Sequence, residues 1–119
     1  MNQIILVGRP GKEPEVKTTP SNQKVVTLSL GVDRRTKDGK NATDWIDCTI
    51  WGKTADVAEK YVRKGDRIGV VGSLQTRTWQ AQDGTNRKAF FVLVDRLELL
   101  SDRKNPSADG QDVGVPFEV

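Results

Sequence analysis

The stretch TDWIDCTIW, residues 43–51, alternates apolar residues with aromatic and polar ones. Successive side chains of a β-strand point to opposite faces, so this alternation predicts a strand with one apolar face. The residues of that face are Ile46, Cys48 and Ile50. The opposite face carries polar residues together with Trp45 and Trp51. Because the outer face of a half-buried strand is usually polar, these two tryptophans are candidates for a function.

Four further segments, on both sides of this strand, have the composition of strands. They span residues 3–7, 24–34, 67–79 and 87–99. The cluster GRPG at residues 8–11 predicts that the first strand stops and turns there. The second strand places Val26, Leu28, Leu30 and Val32 on one face, and the fourth places Ile68, Val70, Gly72 and Leu74 on one face.

Turns and one helix connect these strands. The pairs Asp38-Gly39 and Asp83-Gly84 supply the residues with positive φ that hairpin turns need. The helix is predicted over residues 54–63, with Thr54 as its N-cap and Gly65 after its end. Its apolar stripe consists of Ala55, Ala58, Tyr61 and Val62.

These elements predict an all-β domain over residues 1–100. Five strands with a helix between the third and the fourth are the layout of the OB-fold, a five-stranded Greek-key barrel. An SH3-like barrel has a suitable strand count but no natural place for the helix. Residues 101–119 are rich in Ser, Asp, Gly and Pro, which predicts a flexible, mildly acidic C-terminal tail.

The composition excludes several classes of function. The chain has no histidine, so Ser-His-Asp and Cys-His catalysis and histidine metal sites are excluded. The single cysteine, Cys48, cannot form an intramolecular disulfide and is expected to be a packed core thiol. The longest apolar run, residues 89–94, is too short for a membrane helix. We expect a cytoplasmic protein, not an enzyme, with no cofactor, no metal and no membrane partner.

The aromatic and basic residues together predict a binding surface for a single strand of nucleic acid. Trp45 and Trp51 are joined by Trp79, on the polar face of the fourth strand. Tryptophans offer stacking platforms to bases, although they could also pack an oligomer interface. Residues 1–100 contain 17 Lys and Arg against 12 Asp and Glu, a balance that suits an anionic partner. The basic residues near the tryptophans and hairpins, which could contact phosphates, are Lys53, Arg77, Arg34, Arg35, Arg87 and Lys88.

Two longer stretches resemble a known family. The segments IILVGRPGKEPEVK, residues 4–17, and DWIDCTIWGKTADVAEKYVRKGDRIGVVGSLQTRTW, residues 44–79, are similar to the bacterial single-stranded DNA-binding protein (SSB) family. The form WGKTADVAEKYVRKG is similar to cyanobacterial members. The resemblance covers residues 2–99. It implies a homotetramer of OB-folds at the nucleoid that binds single-stranded DNA without strong sequence preference in replication, recombination and repair.

The resemblance also implies roles for individual residues. Trp45, Trp51 and Trp79 match the aromatic positions that stack on bases. The basic positions that line the path of the strand are matched by Lys53, Arg63, Lys64 and Arg77. The chain departs from the family at Arg34-Arg35, where many members have another tryptophan, and at Asp47, where a basic residue is common. We therefore expect weaker or more salt-sensitive binding than in the best-known members.

The tail of the chain is a further departure. Family tails end in an acidic run that closes on Pro-Phe and docks into replication and repair proteins. Here Pro116-Phe117 would form this docking tail, but Glu118 and Val119 follow it.

Three other functions stay open at the level of the sequence. The chain could be a primosome-type or RNA-binding OB protein, since stacking and phosphate contacts do not distinguish the sugar. It could be a structural subunit whose tryptophans pack between copies. It could also be a carboxylate-dependent nuclease that uses Asp44 and Asp47.

Overall fold

The computed structural model describes residues 1–100 and consists almost entirely of β-strands. Its elements are β1 (Ile4–Pro10), β2 (Glu15–Thr18), β3 (Lys24–Arg35), β4 (Asn41–Trp51), α1 (Gly52–Tyr61), β5 (Ile68–Gln80) and β6 (Asn86–Leu99). The predictions for the tail, including the docking role of Pro116 and Phe117, lie outside the described residues. No helix in residues 1–100 has the length and apolarity that crossing a membrane requires.

Five of the strands close into a barrel. Their order is β1-β5-β6-β4-β3, and β1 pairs with β3 to complete the ring. All pairs are antiparallel except β4 with β6, which run parallel. Along the chain, the helix α1 follows β4, which is the third of the five barrel strands in sequence order. The predicted all-β OB-fold is therefore confirmed.

The first strand is longer than the sequence predicted. GRPG was expected to be a turn, but Gly8, Arg9 and Pro10 continue β1. The strand changes partner here: Ile4–Gly8 pair with β5, whereas Arg9 and Pro10 pair with Gly31 and Leu30 of β3. A Cβ atom on Gly8 would lie 2.3 Å from the backbone oxygen of Gly31. The glycine is therefore present because the barrel closes at this point, and not because the chain turns.

The strand β2 was not predicted. It pairs with β3 on the outside of the ring, from Glu15 opposite Thr27 to Thr18 opposite Lys24. All four of its residues are exposed, so no alternation of apolar and polar residues marks it in the sequence.

The predicted helix is real, but its ends were wrong. It starts at Gly52, which has a φ of +66°, and its N-cap position is Trp51 without a side-chain hydrogen bond. Thr54 is inside the helix and is not the cap. Ala55, Ala58 and Val62 are fully buried as expected, but Tyr61 is 49 % exposed.

Two carboxylates tie the outer side of α1 to β3. Lys24 forms ion pairs with Asp56, at 2.9 Å, and with Glu59. The hydrogen bond to Glu59, and then that to Asp56, raises the pKa of Lys24 above its usual value. The two ion pairs help to hold α1 against the start of β3.

The apolar faces predicted for β3 and β4 meet inside the barrel. The buried core contains Val26, Leu28, Leu30, Cys48, Ile50, Ala55, Ala58, Val62, Ile68, Val70, Val92 and Val94. Leu74 continues the face of Ile68 and Val70 along β5, as predicted, but it is 43 % exposed. It lies opposite Val92, next to the point where β5 and β6 leave the barrel.

Both hairpins extend beyond the barrel and end in similar turns. We call residues 32–35 with 41–44 the β3–β4 arm, and residues 75–80 with 86–91 the β5–β6 arm. At the tips, Gly39 and Gly84 have φ values of +82° and +87°, so a turn occurs at each predicted Asp-Gly pair, but Asp38 and Asp83 do not have the positive φ that was predicted for them. Hydrogen bonds from Thr36 and Thr85 lower the pKa values of Asp38 and Asp83 below the usual value.

The closure at Gly8 generates a prediction about stability. We expect Gly8→Ala to lower the free energy of unfolding by about 1–3 kcal/mol, because the methyl group would collide with the backbone of β3. The measurement is denaturation in urea followed by circular dichroism. The control is Gly69→Ala in the neighbouring cross-strand pair, where the nearest atom to the new Cβ is at an ordinary 3.5 Å. Equal midpoints for the two variants would contradict the proposed constraint.

Candidate nucleic-acid interface

A groove opens where β4 and β6 separate. In the described chain these strands pair only where Cys48–Ile50 face Val92–Val94, and the residues before them diverge. The groove has a volume of about 920 Å³. The segment of residues 12–17, the strands β3 and β4, and the β5–β6 arm all contribute to its lining.

Trp51 lines this groove from the end of β4. Its side chain lies on the outer face of the strand, in line with Thr49 and Asp47, and it is 42 % exposed. Cys48 and Ile50 point the other way and are buried in the core. The alternation of β4 thus directs the indole to the outer face, as the sequence predicted, and there it lines the groove.

Trp45 lies two positions beyond the groove residue Asp47, on the same face of β4. Its ring rests on two glycines: a Cβ atom on Gly31 would lie 2.9 Å from Cζ3 of the indole, and one on Gly11 would lie 2.5 Å from it. The residue is nevertheless 59 % exposed. The ring is therefore seated against the backbone and still accessible to a ligand.

Trp79 has a similar relation to the groove on the other side. It lies two positions beyond Arg77, a groove residue, on the same face of β5. The residue is 46 % exposed, and the guanidinium carbon of Arg77 lies 5.6 Å from the centre of its ring. Two residues along a strand span roughly 7 Å. Trp45 and Trp79 thus each lie roughly 7 Å along their strand from a residue that lines the groove of Trp51.

The predicted phosphate-binding residues have different surroundings. The Nε of Arg34 donates to both carboxylate oxygens of Asp44, at 3.1 and 2.8 Å. The guanidinium of Arg63 donates to the backbone oxygens of Glu59 and Val62, at 3.0 and 2.9 Å, and so completes the end of α1. Both residues therefore have structural partners within the chain.

The other predicted cations lie at the groove, on the β5–β6 arm, or near the ends of β3 and α1. Arg77 lines the groove itself. Arg87 is opposite Trp79 and lies 3.8 Å from Asp83, while Lys88 lies 6.0 Å from the ring of Phe90. The remaining positions are Arg35 at the end of β3, Lys53 in the first turn of α1, and Lys64 after the helix.

Most residues of the groove were not predicted from the sequence, among them two lysines and two phenylalanines. Lys12 and Lys17 reach it from the segment before and within β2, and Phe90 and Phe91 reach it from β6. The two lysines had no aromatic neighbour in the sequence to mark them. The two phenylalanines belonged to an apolar run that indicated a core strand, whereas they lie on the arm, beyond the buried Val92.

Comparisons with known proteins agree with this geometry. The model of the single-strand binding protein family matches residues 1–100. The chain belongs to this family. Its predicted resemblance to the SSB family is thereby confirmed.

Relatives of this SSB-family chain occur in several bacteria. A single-stranded DNA-binding protein of Clostridium tetani is 42 % identical over 93 % of this chain and 78 % of its own length. Single-stranded DNA-binding protein 1 of Synechocystis is 42 % identical over 88 % of each chain. The expected similarity to cyanobacterial members is confirmed, but a clostridial protein is equally identical.

A solved structure supports the same grouping. The Plasmodium falciparum SSB, in a complex with single-stranded DNA, matches with a TM-score of 0.77 and 32 % sequence identity. The match covers 85 % of this chain and 96 % of the other one.

Carboxylates also lie in the groove of this family member. Asp47 is exposed between the two tryptophans of β4, and Glu13 and Glu15 reach the groove from the opposite side. Glu15 lies 3.5 Å from Lys17, and Glu13 accepts a hydrogen bond from the backbone of Lys64. These negative charges reduce the attraction of the groove for a phosphate backbone.

The arrangement of acidic residues does not favour metal-dependent cleavage. Asp44 is held by Arg34 on the β3–β4 arm, whereas Asp47 points into the groove. Within residues 1–100, no group of three or more Cys, Asp or Glu side chains is arranged to hold a metal ion. Asp44 and Asp47, the two carboxylates that a nuclease would use together, therefore have separate surroundings.

Cys48 lies just beneath the groove, and we predict that its thiol is inert in the folded protein. The residue is 1 % exposed, and burial, with a smaller contribution from Asp47, raises the pKa of its thiol to about 12. The reactive thiolate is therefore scarce until the pH approaches that value. Iodoacetamide at about pH 8 should leave the native chain unmodified and should alkylate it in guanidinium chloride, as measured by intact mass.

A control separates this thiol from other sites of alkylation. Cys48→Ser should gain no mass in either solvent. Rapid labelling of the native protein would mean that the wall between the groove and the core opens readily.

Proposed function

We propose that this protein binds single-stranded DNA without strong sequence preference and protects it during replication, recombination and repair. The observation that carries the proposal is the set of three exposed tryptophans, in and beside one groove, in a member of the SSB family. Relatives from several organisms are named single-stranded DNA-binding proteins, which supports the same ligand. The protein would act in the cytoplasm, at the nucleoid.

Stacking of bases supplies the first part of the mechanism. Every base has a π-face, so an exposed indole accepts any of the four, and each stacked base contributes about 1–3 kcal/mol. Trp51 takes a base inside the groove, while Trp45 and Trp79 take bases on either side of it. Because no base edge needs to be read, the binding is tolerant of sequence.

Phosphate contacts supply the second part. Arg77 lies between the groove and Trp79, so its guanidinium can contact a phosphate while the neighbouring base stacks. Arg35, Lys53, Lys64, Arg87 and Lys88 continue this positive surface. Arg34 would have to leave Asp44 to join them, and Arg63 would act mainly by ordering the end of the helix. The release of counterions makes this part of the affinity depend on salt.

Tryptophan fluorescence tests the proposal directly. Poly(dT) should quench the fluorescence strongly, and Trp51→Ala should weaken binding by about 5- to 150-fold, because one stacking contact is lost. Trp51→Phe is the matched control, because it keeps an aromatic ring and should bind more tightly than the alanine variant. Raising the salt concentration should weaken the binding of poly(dT) by the wild type and by both variants.

Two other ligands complete this experiment. Duplex DNA should cause little quenching, because its bases are already stacked in pairs. Equal binding of poly(rU) would assign the groove to single strands of either sugar, and no quenching by poly(dT) at low salt would overturn the proposal.

We also propose that the protein forms a homotetramer, with β1 in the contact between copies. Ile5 and Val7 on its outer face are 67 % and 44 % exposed. Over Ile4–Gly8, this strand pairs with β5 on one side, while its pairing with β3 within residues 1–100 begins only at Arg9. An apolar strand with one unpaired edge is typical of a surface that joins another chain. Replication and repair proteins would be further partners, recruited through Pro116-Phe117.

A charged substitution tests this assembly. Ile5→Asp should reduce the mass in light scattering from four times the 13.2 kDa of one chain, because it places a carboxylate in the apolar contact. Val57→Asp is the matched control, since Val57 is also exposed but lies on α1, and it should leave the mass unchanged. An unchanged mass for Ile5→Asp would exclude β1 as the interface.

A further inference from the structure

The β5–β6 arm presents different residues on its two faces. Residues opposite each other in an antiparallel pair share a face, and the register pairs Trp79 with Arg87 and Arg77 with Ala89 on one side. The intervening pairs, Thr76 with Phe90 and Thr78 with Lys88, lie on the other side. The arm thus has a tryptophan face and a phenylalanine face.

We infer that Phe90 is a fourth base-stacking platform, on the face of the arm opposite Trp79, with Lys88 as its phosphate-contacting partner. This inference rests on the proposed function, since it assigns another contact to the same single strand. The occupant of the phenylalanine face is therefore a base of the strand that passes through the groove.

The exposure of Phe90 is the first argument. Phe90, Val92 and Val94 alternate along β6 on the side that faces the core. Val92 is fully buried and Val94 is 6 % exposed, whereas Phe90 is 58 % exposed. The face of β6 that points to the core continues past the end of the barrel onto the arm. The ring of Phe90 lies on this face, and it is accessible because the arm is outside the barrel. An exposed aromatic ring beside a groove is a candidate contact for a ligand in that groove.

The position of Phe90 in the groove is the second argument. Phe90 is one of the arm residues that line the same groove as Trp51, together with Thr76 opposite it and with Arg77 and Phe91 of the tryptophan face. A strand whose base stacks on Trp51 therefore passes two further aromatic residues, Phe90 and Phe91, of which Phe90 is the more exposed. Trp79 lies just outside this cavity on the other face of the arm, so the strand would contact the arm on both sides.

The neighbouring charge is the third argument. The Nζ of Lys88 lies 6.0 Å from the centre of the Phe90 ring, and Arg77 lies 5.6 Å from that of Trp79. Each face of the arm thus combines an aromatic ring with a cation two residues away on the same strand. A ring for a base and a cation for the adjoining phosphate form the basic unit of a sequence-tolerant site.

The same charges argue against a second copy of this chain as the occupant. Arg77, Arg87 and Lys88 all lie within two or three positions of the exposed rings on the arm. Two arms placed together would bring these like charges close to one another, which is unfavourable. A polyanion would instead neutralise them.

Loss of the ring is the first test. In the full-length protein, Phe90→Leu keeps an apolar side chain but removes the π-face, and it should weaken binding of poly(dT) by about five-fold or more. Phe90→Tyr should retain most of the affinity. Val57→Ala, which removes an exposed apolar side chain from α1, should bind like the wild type.

A direct readout of stacking is the second test. With Trp45, Trp51 and Trp79 each replaced by phenylalanine, Phe90→Trp makes the introduced indole the only tryptophan of the chain. Its fluorescence should be quenched by saturating poly(dT). Light scattering on Phe90→Leu should give the mass of the wild type.

The outcomes separate this inference from the proposed function. If the wild type binds poly(dT) but Phe90→Leu binds equally well, or if the introduced tryptophan is not quenched, the inference is wrong and the proposed function stands. If Phe90→Leu changes the mass, the ring belongs to an interface between copies and the inference is also wrong. If the wild type does not bind poly(dT), the proposed function fails as well.

Discussion

The contact between the backbones of β1 and β3 at Gly8 and Gly31 is the constraint on which the rest of the structure depends. Gly8 has no room for a Cβ atom because the oxygen of Gly31 lies so close, and this approach closes the barrel. Gly31 in turn has no room for one because the indole of Trp45 rests on it. One short piece of β3 therefore links the closure of the fold to the seating of a candidate ligand-binding ring.

The sequence was informative wherever a face of a strand is buried. The alternation of Ile46, Cys48 and Ile50 predicted β4, its inward face and the outward direction of Trp45 and Trp51 correctly, because burial imposes a period of two. The strand β2 has no buried face and was missed. Gly8 and Pro10 were interpreted as a turn because local propensity does not reveal a change of strand partner.

The candidate site was predictable in part for the same reason. The exposure of the tryptophans follows from alternation, but the exposure of Phe90 depends on where the barrel ends and the arm begins. The pairing of Arg34 with Asp44, and that of Arg63 with the end of α1, depend on cross-strand register and helix length. A basic residue near an aromatic one in the sequence is therefore only a candidate, since the fold decides whether a carboxylate or a carbonyl already engages it.

The β5–β6 arm has a consequence for the motions of the protein. Nine of its twelve strand residues are exposed and none is buried, so its hydrogen bonds lie outside the protection of the core, and opening the arm costs less than unfolding the barrel. Aromatic contacts on such an arm can break one at a time while the barrel keeps its shape. A long ligand held in this way can shift along the surface in small steps, without ever being released as a whole.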